Sequence, residues 1–162
     1  AGGIAPLVAL ARCGMDGQKE EAARALAILA CDNADNRVAI AKAGGIAPVV
    51  ALVRDGTDGQ KEWAAGALAN LAHNTDNQVA IAQAGGIAPL VALARDGMEK
   101  QKEMATMALA WLAHNADNQV AIAAAGGIAP LVALARDGME KQKEMATRAL
   151  ALLAHNADNQ VA

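Results

Sequence analysis

Residues 76–93 read Asp76-Asn77-Gln78-Val79-Ala80-Ile81-Ala82-Gln83-Ala84-Gly85-Gly86-Ile87-Ala88-Pro89-Leu90-Val91-Ala92-Leu93. Two helices and a sharp turn are written into this stretch. The run from Asp76 to Ala82 predicts a short helix. Asp76 or Thr75 is placed to cap it, and Thr75 with Gln78 has capping-box spacing. Gly85-Gly86 stops it, because glycine adopts the left-handed C-cap conformation at little cost. A second helix starts near Ile87 with Pro89 in its first turn, where a missing N–H is harmless. Its apolar stripe is Ile87, Leu90, Val91, Leu93 and Ala94, the periodicity of one helical face. Arg95-Asp96-Gly97 closes it. A third helix is expected from about Glu99 to His114, with Ala105, Leu109 and Leu112 as its apolar stripe and Ala108 beside them.

The same text recurs. Ala-Gly-Gly-Ile-Ala-Pro begins at Ala1, Ala43, Ala84 and Ala125, at periods of 42, 41 and 41 residues. The 162 residues therefore divide into units 1–42, 43–83, 84–124 and 125–162 of one repeat domain. The extra residue of the first unit lies near Cys31-Asp32-Asn33, where the others read His-Asn. No unit can bury its stripes alone, so stacking on neighbours must supply the core.

Composition agrees. Hydrophobic residues make up 54% of the chain, yet Trp63 and Trp111 are its only aromatics and 44 residues are alanine. Alanine favours helices and disfavours strands, which argues against a β-sandwich or barrel. The apolar content argues against disorder. The net charge of −3, with both signs mixed, speaks against a nucleic-acid partner. No long uninterrupted apolar run suggests a membrane span. The start, Ala1-Gly2-Gly3, has no signal-like character.

A short helix and two longer antiparallel ones every 41 residues or so resemble the armadillo repeat, over all four units. The residues that carry the resemblance are 77–93, quoted above, with Gln101-Lys102-Glu103 and Asn70-Leu71-Ala72. HEAT repeats are the near neighbour, but the separate Asn-Gln-Val-Ala-Ile helix favours armadillo. One departure is the proline, which sits a residue later than the family's usual Ile-Pro. The resemblance implies an all-α, right-handed α-solenoid that binds an extended peptide or a partner protein along a concave face lined by the third helices. Family members hold a peptide backbone with one Asn per unit and a Trp one turn earlier. The Asn place maps to Ile28, Asn70, Trp111 and Leu152, and the Trp place to Arg24, Gly66, Met107 and Arg148. Only Asn70 keeps the amide, and no unit keeps the Trp.

Differences between units are concentrated. Units three and four, compared over 38 residues, differ only at Met107 against Arg148 and Trp111 against Leu152. Across all units a stripe varies at i, i+4, i+7 and i+11 of the third helix: Gly17, Glu21, Arg24, Ile28; Gly59, Trp63, Gly66, Asn70; Lys100, Met104, Met107, Trp111; Lys141, Met145, Arg148, Leu152. These positions form one continuous helical face. Met15, Thr57, Met98 and Met139, just before the same helix, also differ. Drift would scatter changes over exposed sites. The pattern is that of a near-consensus unit with one face altered by engineering; a recently duplicated natural array whose binding face diverged under selection is the alternative. Met, Trp, Ile and Leu on that face are expected to form an exposed apolar interaction patch, with Trp and Arg as anchors. Packing between third helices is the competing role for Met104, Met107 and Met145.

The remaining candidates point away from catalysis. His73, His114 and His155 recur one per unit at the end of the third helix. Neighbouring helices stand about 8–10 Å apart, too far for equivalent histidines to share a metal whose ligands lie about 2 Å away; a favourable place on the helix dipole is expected instead. Cys13 and Cys31 fall at far ends of an antiparallel pair roughly 20 Å long, whereas a disulfide needs Cα atoms within about 7 Å. Free thiols suit a reducing, intracellular setting, and an intermolecular bridge is open under oxidation. The Gly-Gly turns lack the context of a phosphate loop, and the chain has no serine. Glu62 and Glu103, in the repeated Gln-Lys-Glu, read as a solvated face with local ion pairs. No enzyme constellation and no cofactor site are expected. The terminal units carry the same apolar stripes as the internal ones, so both end faces are expected to be sticky. The sequence thus predicts a non-catalytic binding module using Glu21, Arg24, Ile28, Trp63, Gly66, Asn70, Met104, Met107, Trp111, Met145, Arg148 and Leu152, or alternatively a self-assembling homodimer through that face or the ends.

Overall fold

A computed structural model describes residues 2–159. Among them are eleven α-helices and no strand. Helices α1 (Ile4–Cys13) and α2 (Asp16–Ala30) open the chain. Three triplets follow the same plan: α3 (Ala34–Lys42), α4 (Ile46–Asp55) and α5 (Asp58–Leu71); α6 (Thr75–Gln83), α7 (Ile87–Asp96) and α8 (Glu99–Leu112); α9 (Ala116–Ala124), α10 (Ile128–Asp137) and α11 (Glu140–Ala154). A 3₁₀ turn at Ala157–Asn159 follows α11, and residues 160–162 lie outside the described part.

Each short helix meets the next helix at 85–89°. The Gly-Gly pair makes that corner. Gly85 has φ +76°, which glycine alone adopts freely. Gly86 has an ordinary φ of −75° but no room for a side chain. A Cβ there would come within 2.8 Å of Ile81 Cγ2 and 3.0 Å of the Ile81 carbonyl oxygen. One glycine thus serves dihedral freedom and the other close approach.

The caps differ from expectation. Asn74, rather than Thr75 or Asp76, caps α6, its side chain accepting the Asn77 N–H at 3.0 Å. Asn33 and Asn115 do the same for α3 and α9. Asn ranks among the best N-caps, and its extended backbone here leaves Thr75 as the first helical residue. The capping box lies instead at Thr57 and Gln60 on α5. Helix α8 ends at Leu112, two residues short of His114, because the His114 N–H turns back to the Trp111 carbonyl. The extra residue of the first unit is absorbed by Asp32, a non-glycine residue at φ +49°.

The third helices α2, α5, α8 and α11 pack in a row, and each also packs on the helix that precedes it in the chain. The predicted stripes are the core: Ile87, Leu90, Val91, Leu93 and Ala94 of α7 are buried, as are Ala105, Ala108, Leu109 and Leu112 of α8. Alanines 64, 65, 67 and 69 are buried throughout α5, so the row packs at close range.

Two polar ladders fix the seams. Gln60, Gln101 and Gln142 are buried, which corrects the reading of Gln-Lys-Glu as a wholly solvated face. Gln60 Nε2 donates to the Asp16 carbonyl at 2.9 Å, Gln101 to Asp58 at 3.0 Å and Gln142 to Glu99 at 2.9 Å. Their Oε1 atoms accept the N–H of Thr57, Met98 and Met139. In the second ladder, Asn77 Nδ2 donates to the carbonyls of Leu71 and Arg37, and Asn118 Nδ2 to those of Leu112 and Gln78. Each amide satisfies a helix-end carbonyl in its own unit and reaches into the previous one. No single helix among the described residues is long and apolar enough to cross a membrane; three bent pairs reach that length only by joining two helices.

Candidate functional site

The variable stripe lies along the row of third helices, but it is not uniformly exposed. Glu21, Arg24, Ile28 and Arg148 are exposed, Ile28 to 59%. Trp63, Asn70, Met104, Met107, Trp111, Met145 and Leu152 are half-buried, and Gly66 is buried. The expected open apolar patch is therefore corrected to a partly buried surface. Trp63, Met104, Met107, Trp111, Met145 and Leu152 rest on the core as well as facing out.

A cleft of about 230 Å³ opens over the middle of α5. Ile28 of α2 and Cys31 just after it form one side, and Lys100, Met104 and Met107 of α8 the other. Glu62, Trp63, Gly66 and Asn70 of α5 lie between them. The cleft exists because Gly66 has no side chain where the other units carry Arg24, Met107 and Arg148. The nearest atom to a Cβ placed on Gly66 would be Met104 Sδ, at 3.4 Å.

The polar groups of the cleft are unevenly matched. Asn70 Nδ2 donates to the Ala27 carbonyl at 2.9 Å, so this amide helps to hold α5 against α2. A carbonyl can only accept, which fixes the amide orientation and turns Oδ1 away as an acceptor. Lys100 Nζ is bound to Glu103 at 3.2 Å. Among the described residues nothing pairs with Glu62 by ion pair or hydrogen bond. The Cys31 thiol leans on Asp32 Oδ2 at 3.6 Å. In the first unit Arg24 Nε donates to Glu21 at 3.0 Å, an exposed pair on one helix that contributes little.

A second cluster surrounds Trp111. The His73 ring lies 3.9 Å from it between centroids, tilted 34°, and the His114 ring 5.3 Å away at 22°. Arg148 Cζ stands 4.3 Å over the indole, a cation–π contact. Three units meet here. His114 Nδ1 lies 3.1 Å from the Ala110 carbonyl oxygen and 3.2 Å from that of Trp111, so it carries the proton. Nε2 is then free to accept from Arg148 Nη2 at 3.2 Å. His114 thus serves the last carbonyls of its helix as expected. His73 likewise stands just past the end of α5, with Trp111 of the next unit against its ring. Burial pushes its pKa down from the usual 6.5, the Arg37 and Arg148 charges add to the depression, and Asp32 opposes it.

Cys13 and Cys31 are both exposed and unbridged. Glu62 and Cys31 were not foreseen as lining residues, whereas Lys100 belongs to the variable stripe. Glu62 sits beside a cleft-facing position, but it recurs unchanged in every unit and so reads as scaffold. On the other side of the long helices, each seam leaves a further groove of 240–380 Å³. Each is lined by one Pro, one Gln, an Arg, a Lys and two acidic residues, as with Arg54, Lys61, Asp58 and Asp96.

Helix order, right-angled corners and amide-stitched seams define an all-α, right-handed α-solenoid. Solved structures share it. A designed armadillo repeat protein in complex with the peptide (KR)4 superposes at a TM-score of 0.90 with 30% identity, over 99% of this chain and 68% of that one. An engineered protein matches at 0.90 and 32%, over 99% and 66%. A structure of computationally designed armadillo repeat proteins for modular peptide recognition matches at 0.90 and 27%, over 98% and 67%. The chain thus spans about two thirds of the length of these proteins. No family model and no curated protein sequence matches it. The chain belongs to the armadillo repeat family, on the side of its designed members.

Proposed function

We propose that the chain is a non-catalytic binding scaffold that takes a peptide or a partner protein on the concave face formed by its third helices, with repeats 1–42, 43–83, 84–124 and 125–162 as modules. The observation that carries this reading is the cleft over Gly66, an apolar depression placed where the units differ most. The designed relatives described as peptide-recognising support the peptide form of it. Glu21, Arg24, Ile28, Trp63, Gly66, Asn70, Met104, Met107, Met145 and Leu152 form the proposed contact surface. Trp111 and Arg148 enter it as one unit, since each covers the other. Large half-buried side chains flanked by charge have the make-up of binding hot spots.

Selection from an unbiased displayed peptide library tests the reading. Peptides retained by the chain should be released by the double variant Trp63→Ala, Met107→Ala, which keeps the helical circular dichroism signal. Retention of the same peptides by that variant, or failure to retain any peptide, overturns it.

A further inference from the structure

The cleft over Gly66 is more specific than a generic apolar groove. Its volume of about 230 Å³ exceeds the about 150 Å³ that suffices for a benzene ring in an apolar cavity. Its broad walls are Trp63, Met104 and Met107, a ring and two thioethers that favour an aromatic guest. The same helix position accommodates the long side chains of Arg24, Met107 and Arg148 in the other units, so a guest here occupies a place the solenoid is built to fill.

The polar inventory narrows the guest further. Asn70 Nδ2 is committed to Ala27 and Lys100 to Glu103, which leaves the Trp63 indole N–H as the donor without a partner among the described residues. Two acceptors are likewise uncommitted there: Asn70 Oδ1 and the Glu62 carboxylate. A complementary guest therefore brings an N–H donor on its ring and a positive charge beside it. An indole supplies the first and an adjoining ammonium or guanidinium the second. We infer that this cleft is a subsite for an indole ring next to a cationic group, as a tryptophan adjoining lysine or arginine presents them in a bound peptide. The inference rests on the concave-face reading and names the side chain that face selects.

Tryptamine, which joins an indole to an ammonium, is the minimal probe, and indole-3-propionate is its oppositely charged counterpart. In titrations of the ¹⁵N-labelled chain, tryptamine should shift the Trp63 Nε1–H and Gly66 amide signals saturably. Indole-3-propionate should bind at least about fivefold more weakly, the ratio an exposed ion pair can sustain. Gly66→Leu should abolish the shifts while melting stays cooperative. Glu62→Gln should bring the two probes to within about twofold of each other. Equal binding of both probes to the unaltered chain, or saturable shifts that survive Gly66→Leu, overturns the inference. The peptide reading fails separately. Retained library peptides that tryptamine does not displace sink the subsite and leave that reading standing; saturation by tryptamine with no peptide retained does the reverse.

Discussion

The guanidinium of Arg148 lies over the indole of Trp111 at 4.3 Å, across the boundary between two repeats. These are two of the four residues by which units three and four differ, so they act as a pair and not as independent contacts. Replacing Arg148 by Leu should cost about 0.5–1 kcal/mol, the usual worth of a cation–π contact near the surface. A double-mutant cycle with Trp111→Leu in urea unfolding measures the coupling. Additive losses would show that the two side chains ignore each other.

His73 makes stability depend on pH. Its folded pKa is held below 6.5, first by burial and then by Arg37. The unfolded chain therefore binds the proton more readily, and stability rises with pH across that interval. The contribution is complete above about pH 6.5 and is lost as pH falls through the folded value. Melting temperature should drop on acidification from neutral pH, and His73→Gln should flatten the drop. An unchanged slope in that variant would remove His73 as its source.

Gly66 weakens the helix that carries the cleft. Glycine inside a helix costs about 1 kcal/mol relative to alanine, and a Cβ here would meet Met104 Sδ at an ordinary contact distance of 3.4 Å. Gly66→Ala should raise stability by up to about 1 kcal/mol in chemical denaturation, while narrowing the cleft. A loss of stability would mean that Met104 cannot accommodate even a methyl group.

Asn118 holds a seam from within the protein. It is buried and donates to the carbonyls of both Leu112 and Gln78. Asn118→Ala should cost about 1–3 kcal/mol, because it removes two hydrogen bonds worth about 0.5–1.5 kcal/mol each. Equilibrium unfolding reads the loss directly. A change within experimental error would show that water replaces the amide.

The class of fold was readable because its signals are local and repeated. Apolar stripes, the Gly-Gly corner and Pro89 act within a few residues, and four copies of the text reinforce each other. The Gln and Asn ladders were hidden for the opposite reason. A glutamine in Gln-Lys-Glu looks solvated until the preceding unit is stacked against it, 40 or so residues away. The site was half visible. Variation marked the stripe, and Trp63, Gly66 and Met107 do meet in one cleft. Glu62 escaped notice because a residue copied in every unit carries no contrast, although its surroundings differ from unit to unit. The burial of His73 was not readable because Trp111, which lies against it, belongs to the next unit.

The cleft depends on a missing side chain in a row whose glutamine ladder repeats at every seam. Its address is therefore portable. A glycine moved from position 66 to position 107 would shift the void one unit along the row, with Gln and Asn ladders unchanged. Glycines at both places would set two voids one helix spacing apart, about 8–10 Å. A ligand would then be read by the interval between its aromatic groups as well as by their chemistry. Where the void falls is a matter of spelling: which unit in the array is left without a letter.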